Sequence, residues 1–570
     1  MENAQIAEIF DEIADLLELR QGNAFRIRSY RNAAQTMRSL AERIEDLMAQ
    51  HKDLSDIHNI GDSSARKIRE ILETGTCQRV EELRKQVPEG LPTIMRIPGL
   101  GPKKAAYIHE KLNVNSLKDL KQACKRHQLR ELAGFGEKTE KKILKAIKTV
   151  ATTAGRLLYQ EAADHLASLK EHLDALAEID RWEVAGSFRR KKETIGDLDI
   201  LLHADDRKQA THAILKYSAI SEVISKGKER VSVRLTGGLQ VDFRFFDEAA
   251  FGAAMMYFTG SKAHNIEVRR LAQQRDWKLN EYGLFSRNRR LAGKTEKAVY
   301  KRLDMKSVPP ELRENRGEIE ASREGHLPKL IIRDDIRGDF QCHTTASDGQ
   351  HSIQDMAEAA QAYGFDFLAI TDHSKRVTMA NGLDDERTKR HADAIRKVDG
   401  DMQNFWLLAG IEVDILKSGK LDLKEKTLAS LDWVVASIHY DRAMSKKRMT
   451  DRIVAAVKSG VVHCLGHPLG RIIGRRDPIP VDLDKIIAAC IEHNVRLEIN
   501  AQPDRLDLPD YHVQHAREAG ATFTLGTDAH TIDGFRFMPF GINVARRGWL
   551  RKGDVLNTKS TTELKKELRK

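Results

Sequence analysis

Between residues 338 and 530, short apolar runs end repeatedly in side chains that bind metals, and this repetition restricts the fold more than any other feature of the chain. "FDFLAI" runs into Thr371-Asp372-His373, "WLLAG" into Ile411-Glu412-Val413-Asp414, and "DWVVAS" into Ile438-His439. "GVVHCLG" leads to His467-Pro468, "VRLEI" to Asn500, and "TFTLG" to Thr527-Asp528-Ala529-His530. The runs alternate with helical stretches, the pattern of a parallel α/β sheet or barrel. Residues at the carboxyl ends of successive barrel strands converge on one mouth, so these side chains are expected to meet. Just upstream, "GDFQCHTTASDG" (338–349) offers His343 and Asp348 to the same rim. Imidazole mixed with carboxylate suits Mn²⁺, Zn²⁺ or Fe²⁺ better than Mg²⁺ alone.

A chain of 570 residues exceeds what one core supports, so several domains are expected. No apolar run is long enough to span a membrane, and "MENAQIAEIFDEIADLLELRQGN" reads as an acidic amphipathic helix without the basic start of a signal peptide. A cytoplasmic, nucleoid-associated monomer is expected. The five cysteines form no close pair, so free thiols are expected rather than disulfides or a zinc finger. A formal charge of +11 fits a polyanionic partner but does not single one out.

The first 150 residues carry helical periodicity broken by short Gly-containing turns. Three turns are alike: "IHNIGDSSARKI" (57–68), "IMRIPGLGPKKAAYI" (94–108) and "LRELAGFGEKTEKKIL" (129–144). Each is a helix, a turn around Gly61, Gly99 and Gly101, or Gly134 and Gly136, and a second helix. This resembles the helix-hairpin-helix element of DNA-binding proteins. Glycine lets the backbone approach a phosphate, which the N–H groups of the following helix, and basic neighbours such as Lys103, then meet. The first copy departs at Asn59, where a Gly is usual, and the third at Glu140, where a small residue is usual.

Beyond residue 155 the pattern becomes mixed, centred on "VAGSFRRKKETIGDLDILL" (184–202). Asp197 and Asp199 are two apart in a strand-like run and so share a face; "LQVDFRFF" (239–246) supplies Asp242. Three carboxylates at a sheet edge can hold two Mg²⁺ or Mn²⁺ ions, one activating a hydroxyl and one holding a triphosphate. Gly186, Ser187 and Arg190 suit the triphosphate oxygens.

With "YFTGSKAHN" (257–265) following in order, this region resembles the family X DNA polymerases. The resemblance implies that Asp197, Asp199 and Asp242 are catalytic metal ligands and that Arg156, Ser187, Arg190 and Gly196 contact an incoming deoxynucleoside triphosphate. It places Tyr257 and Phe258, followed by Gly260, against the sugar, and Asn265 and Arg269 along the base and template. "FRIRSYRNAA" (25–34) resembles the family's 5′-phosphate pocket, through Arg26, Tyr30 and Arg31, and Lys67 aligns with the lyase Schiff-base lysine. A plain phosphate contact is the other reading of Lys67. Gapped or nicked duplex DNA is the implied partner.

The C-terminal half resembles the PHP domain of polymerases and histidinol phosphatases, which holds two or three metals. Carried over, its ligands are His343, Asp348, His373, Glu412, His439, His467, Asp528 and His530. The family opens on Asp-X-His-X-His, whereas this chain has Asp339-Phe340-Gln341-Cys342-His343, so one histidine is replaced by Gln341. The resulting expectation is a multidomain chain: an all-α lyase-like region (1–80), a fingers-like helix-hairpin-helix region (81–150), an α/β nucleotidyltransferase palm (151–250) and a thumb (251–317). A linker (318–332) then leads to a distorted (β/α) barrel of PHP type (333–570). The implied activity is gap-filling DNA synthesis with a metal-dependent 3′-5′ exonuclease, and with 3′-end processing or abasic-site cleavage open. The barrel as a small-ester phosphatase or a metal-stabilised scaffold, and the whole chain as a DNA-end-binding protein, are the alternatives.

Overall fold

The structure, a computed structural model, describes residues 3–568 apart from 21, 40–43, 50–51, 58, 89, 96, 98–99 and 154–155. It divides into two compact units, Met1–Ser307 with Gly474–Arg476, and Val308–Ile473 with Asp477–Lys570. Among the described residues no helix is long and apolar enough to cross a membrane. All five cysteines are buried free thiols.

The first unit begins with helices, among them α1 (Asn3–Leu19), α2 (Ala24–Ser39), α3 (Asp62–Thr74), α4 (Pro102–Leu112) and α5 (Glu137–Thr153), around one apolar core. Its centre is a five-stranded sheet of β1 (Arg181–Val184), β2 (Asp197–His203), β3 (Ile220–Lys226), β4 (Arg230–Leu235) and β5 (Gln240–Phe245). The strand order is β1-β2-β5-β4-β3. β2 and β5 run parallel side by side, with Asp197 opposite Gln240 and Asp199 opposite Asp242. Helices α6 (Gly186–Arg189), α7 (Phe251–Thr259) and α8 (Lys262–Gln273) complete the surroundings of that pair.

The second unit is a seven-stranded parallel sheet in sequence order: β6 (Gly338–Cys342), β7 (Phe367–Ile370), β8 (Trp406–Asp414), β9 (Trp433–Ser437), β10 (Cys464–Leu465), β11 (Arg496–Asn500) and β12 (Phe523–Gly526). Almost every residue of these strands is buried, which is why they read as continuous apolar runs. The sheet nearly closes. Just past β12, Asp528 N donates to Gln341 O at 2.9 Å and His343 N to Ala529 O at 2.8 Å. Asp339, fully buried on β6, accepts from Thr527 N at 3.0 Å and from its hydroxyl.

The stretch read as a linker, 318–332, contains helix α9 (Glu318–Glu324) and lies within the second unit, whose start at Val308 also takes in the expected end of the thumb. The charges just before it have distant partners: Arg316 reaches Asp510 at 2.9 Å, and buried Arg547 reaches Glu314 at 3.1 Å and Asp510 at 2.7 Å. Leu330 pairs with Arg551, and Ile331 N donates to Leu550 O at 3.0 Å. A charge run with prolines imitates a linker when the arginines that neutralise it lie some 230 residues away.

Candidate active sites

In the first unit the β2 alternation turns Asp197 and Asp199 to one side, and the parallel register sets Asp242 beside Asp199. Arg230 Nη2 lies 2.6 Å and Arg244 Nη2 3.0 Å from Asp242 Oδ2, and Arg244 Nε lies 3.4 Å from Asp199 Oδ1. Burial, then the charge of Asp197, pushes the Asp199 carboxyl up to about 6. Burial, then Asp242, raises Asp197 as well. Burial works the same way on Asp242, but hydrogen bonds from Ser232, Arg230 and Gln240 outweigh it and hold that carboxyl below its ordinary value. Two crowded carboxylates that resist ionisation beside a third held ionised are a donor set suited to divalent cations.

Gly186 adopts φ +63°, and a Cβ there would lie 2.7 Å from Asp199 Oδ2, so only glycine fits this turn against the carboxylate. Ser187 follows it, partly exposed. Gly196 is constrained likewise, its Cβ position lying 2.8 Å from Arg156 Nη1. Arg156 donates to Thr194 Oγ1 at 3.1 Å and Thr194 O at 2.5 Å. Arg190 donates to the Thr259 carbonyl, at the end of α7 where Gly260 takes φ +65°. Tyr257 and Phe258 are half-buried, with ring centroids 5.1 Å apart. Arg269 lies over the Tyr257 ring at 5.3 Å, Arg244 over Phe258 at 4.4 Å, and Asn265 Nδ2 donates to Tyr257 O at 2.7 Å.

At the N-terminal helices, Gly61 and Gly101 cap α3 and α4, and Gly134 and Gly136 precede α5. Beside each of these four glycines the space a Cβ would fill is open. Lys103 is exposed; Gly99 lies outside the described residues. Asn59 takes φ +64°, the conformation that glycine would otherwise supply. Buried Glu140 accepts from Arg130 Nη2 at 2.7 Å and pairs with His127 Nδ1 at 3.0 Å, a clamp in place of the usual small-residue contact. Lys67 Nζ donates to Ser63 Oγ at 2.8 Å and lines a cavity of about 410 Å³ with Arg66 and Arg79. Burial, and then those arginines, lower its amine, opposed by Cys77. Tyr30 lies under Lys67 at 5.7 Å, and Arg26 is exposed. Arg31 is engaged by Asp11 at 3.1 Å and by Asp15, both on α1, so it turns toward carboxylates of its own fold.

In the barrel, all eight expected ligands converge on one mouth. Glu412 is central: His373 Nδ1 lies 2.9 Å from Oε2, and His467 Nε2 and His439 Nε2 lie 2.9 and 3.6 Å from Oε1. His343 Nε2 stands 3.0 Å from Asp528 Oδ1; Asp348 lies 3.6 Å from His373 and 3.4 Å from His530. One atom each from His343, Asp348, His373 and His530 falls within 4.8 Å of the others, and so does the set His373, Glu412 and His439. Burial opposes its charge, yet His373, His439 and His467 hold Glu412 well below the usual carboxylate range. Burial likewise lowers His530, but Asp348 and Asp528 lift its imidazole to about 9. Both ring nitrogens of His343 and both oxygens of Glu412 are buried without a well-formed hydrogen bond. Such orphaned donors and acceptors fit metal cations shared by two overlapping ligand sets.

Three stretches match known domain families by sequence: a helix-hairpin-helix domain over residues 1–77, the DNA polymerase beta thumb over 254–314 and the PHP domain over 339–502. A SAM-like helix-hairpin-helix tandem matches 91–149. Along its entire length, and that of the relative, the chain is 35% identical to the DNA polymerase/3′-5′ exonuclease PolX of Bacillus subtilis. The chain belongs to the bacterial family X DNA polymerases that carry a C-terminal PHP domain. Over 40% of the chain it is also 27% identical to a probable phosphatase of Vibrio parahaemolyticus, covering 93% of that protein. Over 34% of the chain it is 30% identical to the probable phosphatase YcdX of Escherichia coli, covering 78% of that protein.

This family X chain adds partners that its motifs did not announce. Asp414 Oδ1 lies 3.2 Å from His439 Nδ1 and so turns Nε2 toward Glu412. Buried Asp372 accepts from His391 at 2.8 Å and from Thr344 N at 2.9 Å, holding the loop that carries His343 and Asp348. Arg244 and Arg230 brace the polymerase carboxylates. A signal existed for Arg244, since Asp-X-Arg on one strand puts both side chains on one face.

Proposed function

We propose that the chain is a DNA-directed DNA polymerase that fills short gaps during base excision repair, and that its barrel is a 3′-5′ exonuclease trimming the same primer end. The observation that carries this reading is the Asp199–Asp242 register with Asp197 on the same face, within a chain similar throughout to a polymerase/exonuclease. Asp197, Asp199 and Asp242 would hold two Mg²⁺ or Mn²⁺ ions, whose role when bound is to lower the pKa of the primer hydroxyl and neutralise the triphosphate. Ser187, Arg190 and Gly196 line the triphosphate, Tyr257 and Phe258 bear on the deoxyribose, and Asn265 and Arg269 on the base pair. The open helix N-termini at Gly61, Gly101 and Gly134–Gly136 grip duplex backbone on either side of a gap, so binding should weaken sharply with salt. Lys67 is the candidate lyase nucleophile, supported by its lowered amine and basic cavity.

In the barrel, the eight ligands would hold two or three ions, Mn²⁺ or Zn²⁺ by the mixed donor set, which supply an activated water for phosphodiester attack. The names of the partial relatives support a second reading, a phosphatase of small esters. Division into five domains and a linker as read above, a cytoplasmic nucleoid location and a monomeric state belong to the same proposal.

The test is nucleotide addition to a short DNA gap with Mg²⁺, expected in the wild type and absent in the Asp197→Ala, Asp199→Ala double variant. A 3′-labelled primer with Mn²⁺ and no nucleotides should shorten, and should not in His343→Ala. Shortening that persists in His343→Ala removes the exonuclease assignment, and turnover of p-nitrophenyl phosphate without shortening favours the phosphatase. Borohydride trapping on a 5′-deoxyribose-phosphate end should be lost in Lys67→Ala.

A further inference from the structure

Gln341 stands where the PHP pattern has a metal-binding histidine, and the structure shows what surrounds it. Its side chain is buried, 1% exposed, and neither amide oxygen nor amide nitrogen has a hydrogen-bond partner. Glu498, on β11, is also 1% exposed. Its Oε2 accepts from His467 N at 2.6 Å and lies 3.4 Å from Asn500 Nδ2, while Oε1 has no hydrogen-bond partner. Asn500 Nδ2 reaches on to Asp528 Oδ2 at 3.1 Å, tying Glu498 to two of the expected ligands, His467 and Asp528.

Both orphaned side chains border Gly526. A Cβ on Gly526 would lie 2.4 Å from Glu498 Oε1 and 2.8 Å from Gln341 Cβ, so glycine at this point of β12 leaves the room they share. A Cβ on Gly466, just before His467, would lie 3.7 Å from Gln341 Oε1, so the amide end extends toward the strand end that carries His467. A buried carboxylate oxygen and a buried amide left without partners beside the same glycine are costly to the fold unless a cation, a proton or the amide's own N–H satisfies them.

Resting on the metal-centre reading of the barrel, we propose that Glu498 and Gln341 jointly replace the missing histidine and form an oxygen-rich corner of the centre that binds a divalent cation. The replacement exchanges one imidazole nitrogen for a carboxylate and an amide oxygen. Hard oxygen donors shift preference from Zn²⁺ toward Mn²⁺ and Mg²⁺. The corner is thereby distinguished from the imidazole-rich positions around Glu412 and His343.

The experiment measures Mn²⁺ per chain on full-length protein after loading and desalting, with Mn²⁺ titration by calorimetry. The wild type should carry one more Mn²⁺ than Glu498→Gln, or bind its weakest Mn²⁺ at least about tenfold more tightly. Adding Gln341→His to Glu498→Gln should restore the lost ion, now with Zn²⁺ competing better than in the wild type. Unchanged Mn²⁺ content and affinity in Glu498→Gln, with His373→Ala reduced, overturn the proposal and leave the metal centre standing. Loss of the ion in Glu498→Gln without recovery in the double variant also overturns it. A wild type that binds no Mn²⁺ defeats the metal-centre reading itself. Should Glu498→Gln not fold, Gln341→His alone decides: a shift of selectivity from Mn²⁺ toward Zn²⁺ supports the corner, and no shift overturns it.

Discussion

A single guanidinium spans the polymerase carboxylates: Arg244 Nη2 lies 3.0 Å from Asp242 Oδ2 while its Nε lies 3.4 Å from Asp199 Oδ1. Arg244 is two residues beyond Asp242 on β5, so strand alternation alone brings it to the carboxylate face. In the absence of metal it supplies positive charge that divalent ions would otherwise bring.

Arg244→Ala should therefore lower the melting temperature of the metal-free protein, by a loss on the order of 2 kcal/mol for hydrogen bonds to buried charge. Saturating Mg²⁺ should recover most of that loss. The measurement is the Mg²⁺-induced thermal shift of the first unit, expected to be larger in the variant than in the wild type. An equal shift would mean that Arg244 does not stand in for the cation.

Asp199 makes this stability depend on pH. Its carboxyl is raised to about 6 in the folded protein, so between roughly pH 4 and 6 the folded chain keeps a proton that the unfolded chain has released. The associated stability is fully present below pH 4 and disappears as pH rises through 6. A shift of about two units corresponds to roughly 3 kcal/mol. Metal-free Asp199→Asn should consequently be more stable than the wild type at pH 8 and no more stable at pH 4, read by urea denaturation at both. The same competition between proton and cation predicts that Mg²⁺ affinity drops below pH 6 in the wild type.

The polymerase carboxylates and the barrel mouth were readable because strand geometry converts sequence spacing directly into direction. Asp197 and Asp199 alternate on β2, and the expected ligands follow the ends of apolar runs whose continuity reflects burial on both faces. What stayed hidden were partners joined by tertiary contact. Arg31 resembled a phosphate ligand, but the packing of α2 on α1 brings Asp11 and Asp15 against it. Asp339 entered only as the first residue of the PHP opening pattern, whereas its hydrogen bonds from Thr527 tie the first barrel strand to the last. The prolines and charges leading into 318–332 read as a linker because the arginines that neutralise them come from the far end of the chain, Arg546 for Glu311 and Arg547 for Glu314. Glu498 lay inside an apolar run, where a lone carboxylate carries no directional signal.

Gly186→Ala tests whether the turn before the carboxylates is held for function. The added Cβ meets Asp199 Oδ2 at 2.7 Å, and φ +63° costs a non-glycine residue about 1–2 kcal/mol. Displacing a carboxylate proposed to hold the metal by around an ångström is expected to reduce gap filling by about 100-fold. Exonuclease activity, assigned above to the barrel, should stay at the wild-type level. Equal loss of both activities would point to general unfolding instead.

Glu412 offers the corresponding test of the barrel. Its carboxylate lies 2.9 Å from both His373 Nδ1 and His467 Nε2, and 3.6 Å from His439 Nε2, so it borders most of the imidazoles that would share the ions. Glu412→Gln keeps the volume but removes the charge that draws cations and protons to this point. Metal content should fall, and primer shortening should drop by about 100-fold or more, since even outer partners of metal ligands are worth 10- to 100-fold. Chelation of the wild type should reproduce that loss and Mn²⁺ should reverse it, whereas added Mn²⁺ should leave the variant inactive. Gap filling by the variant with Mg²⁺ should be unchanged. Primer shortening that survives in Glu412→Gln at the wild-type rate would place the nuclease outside the barrel mouth.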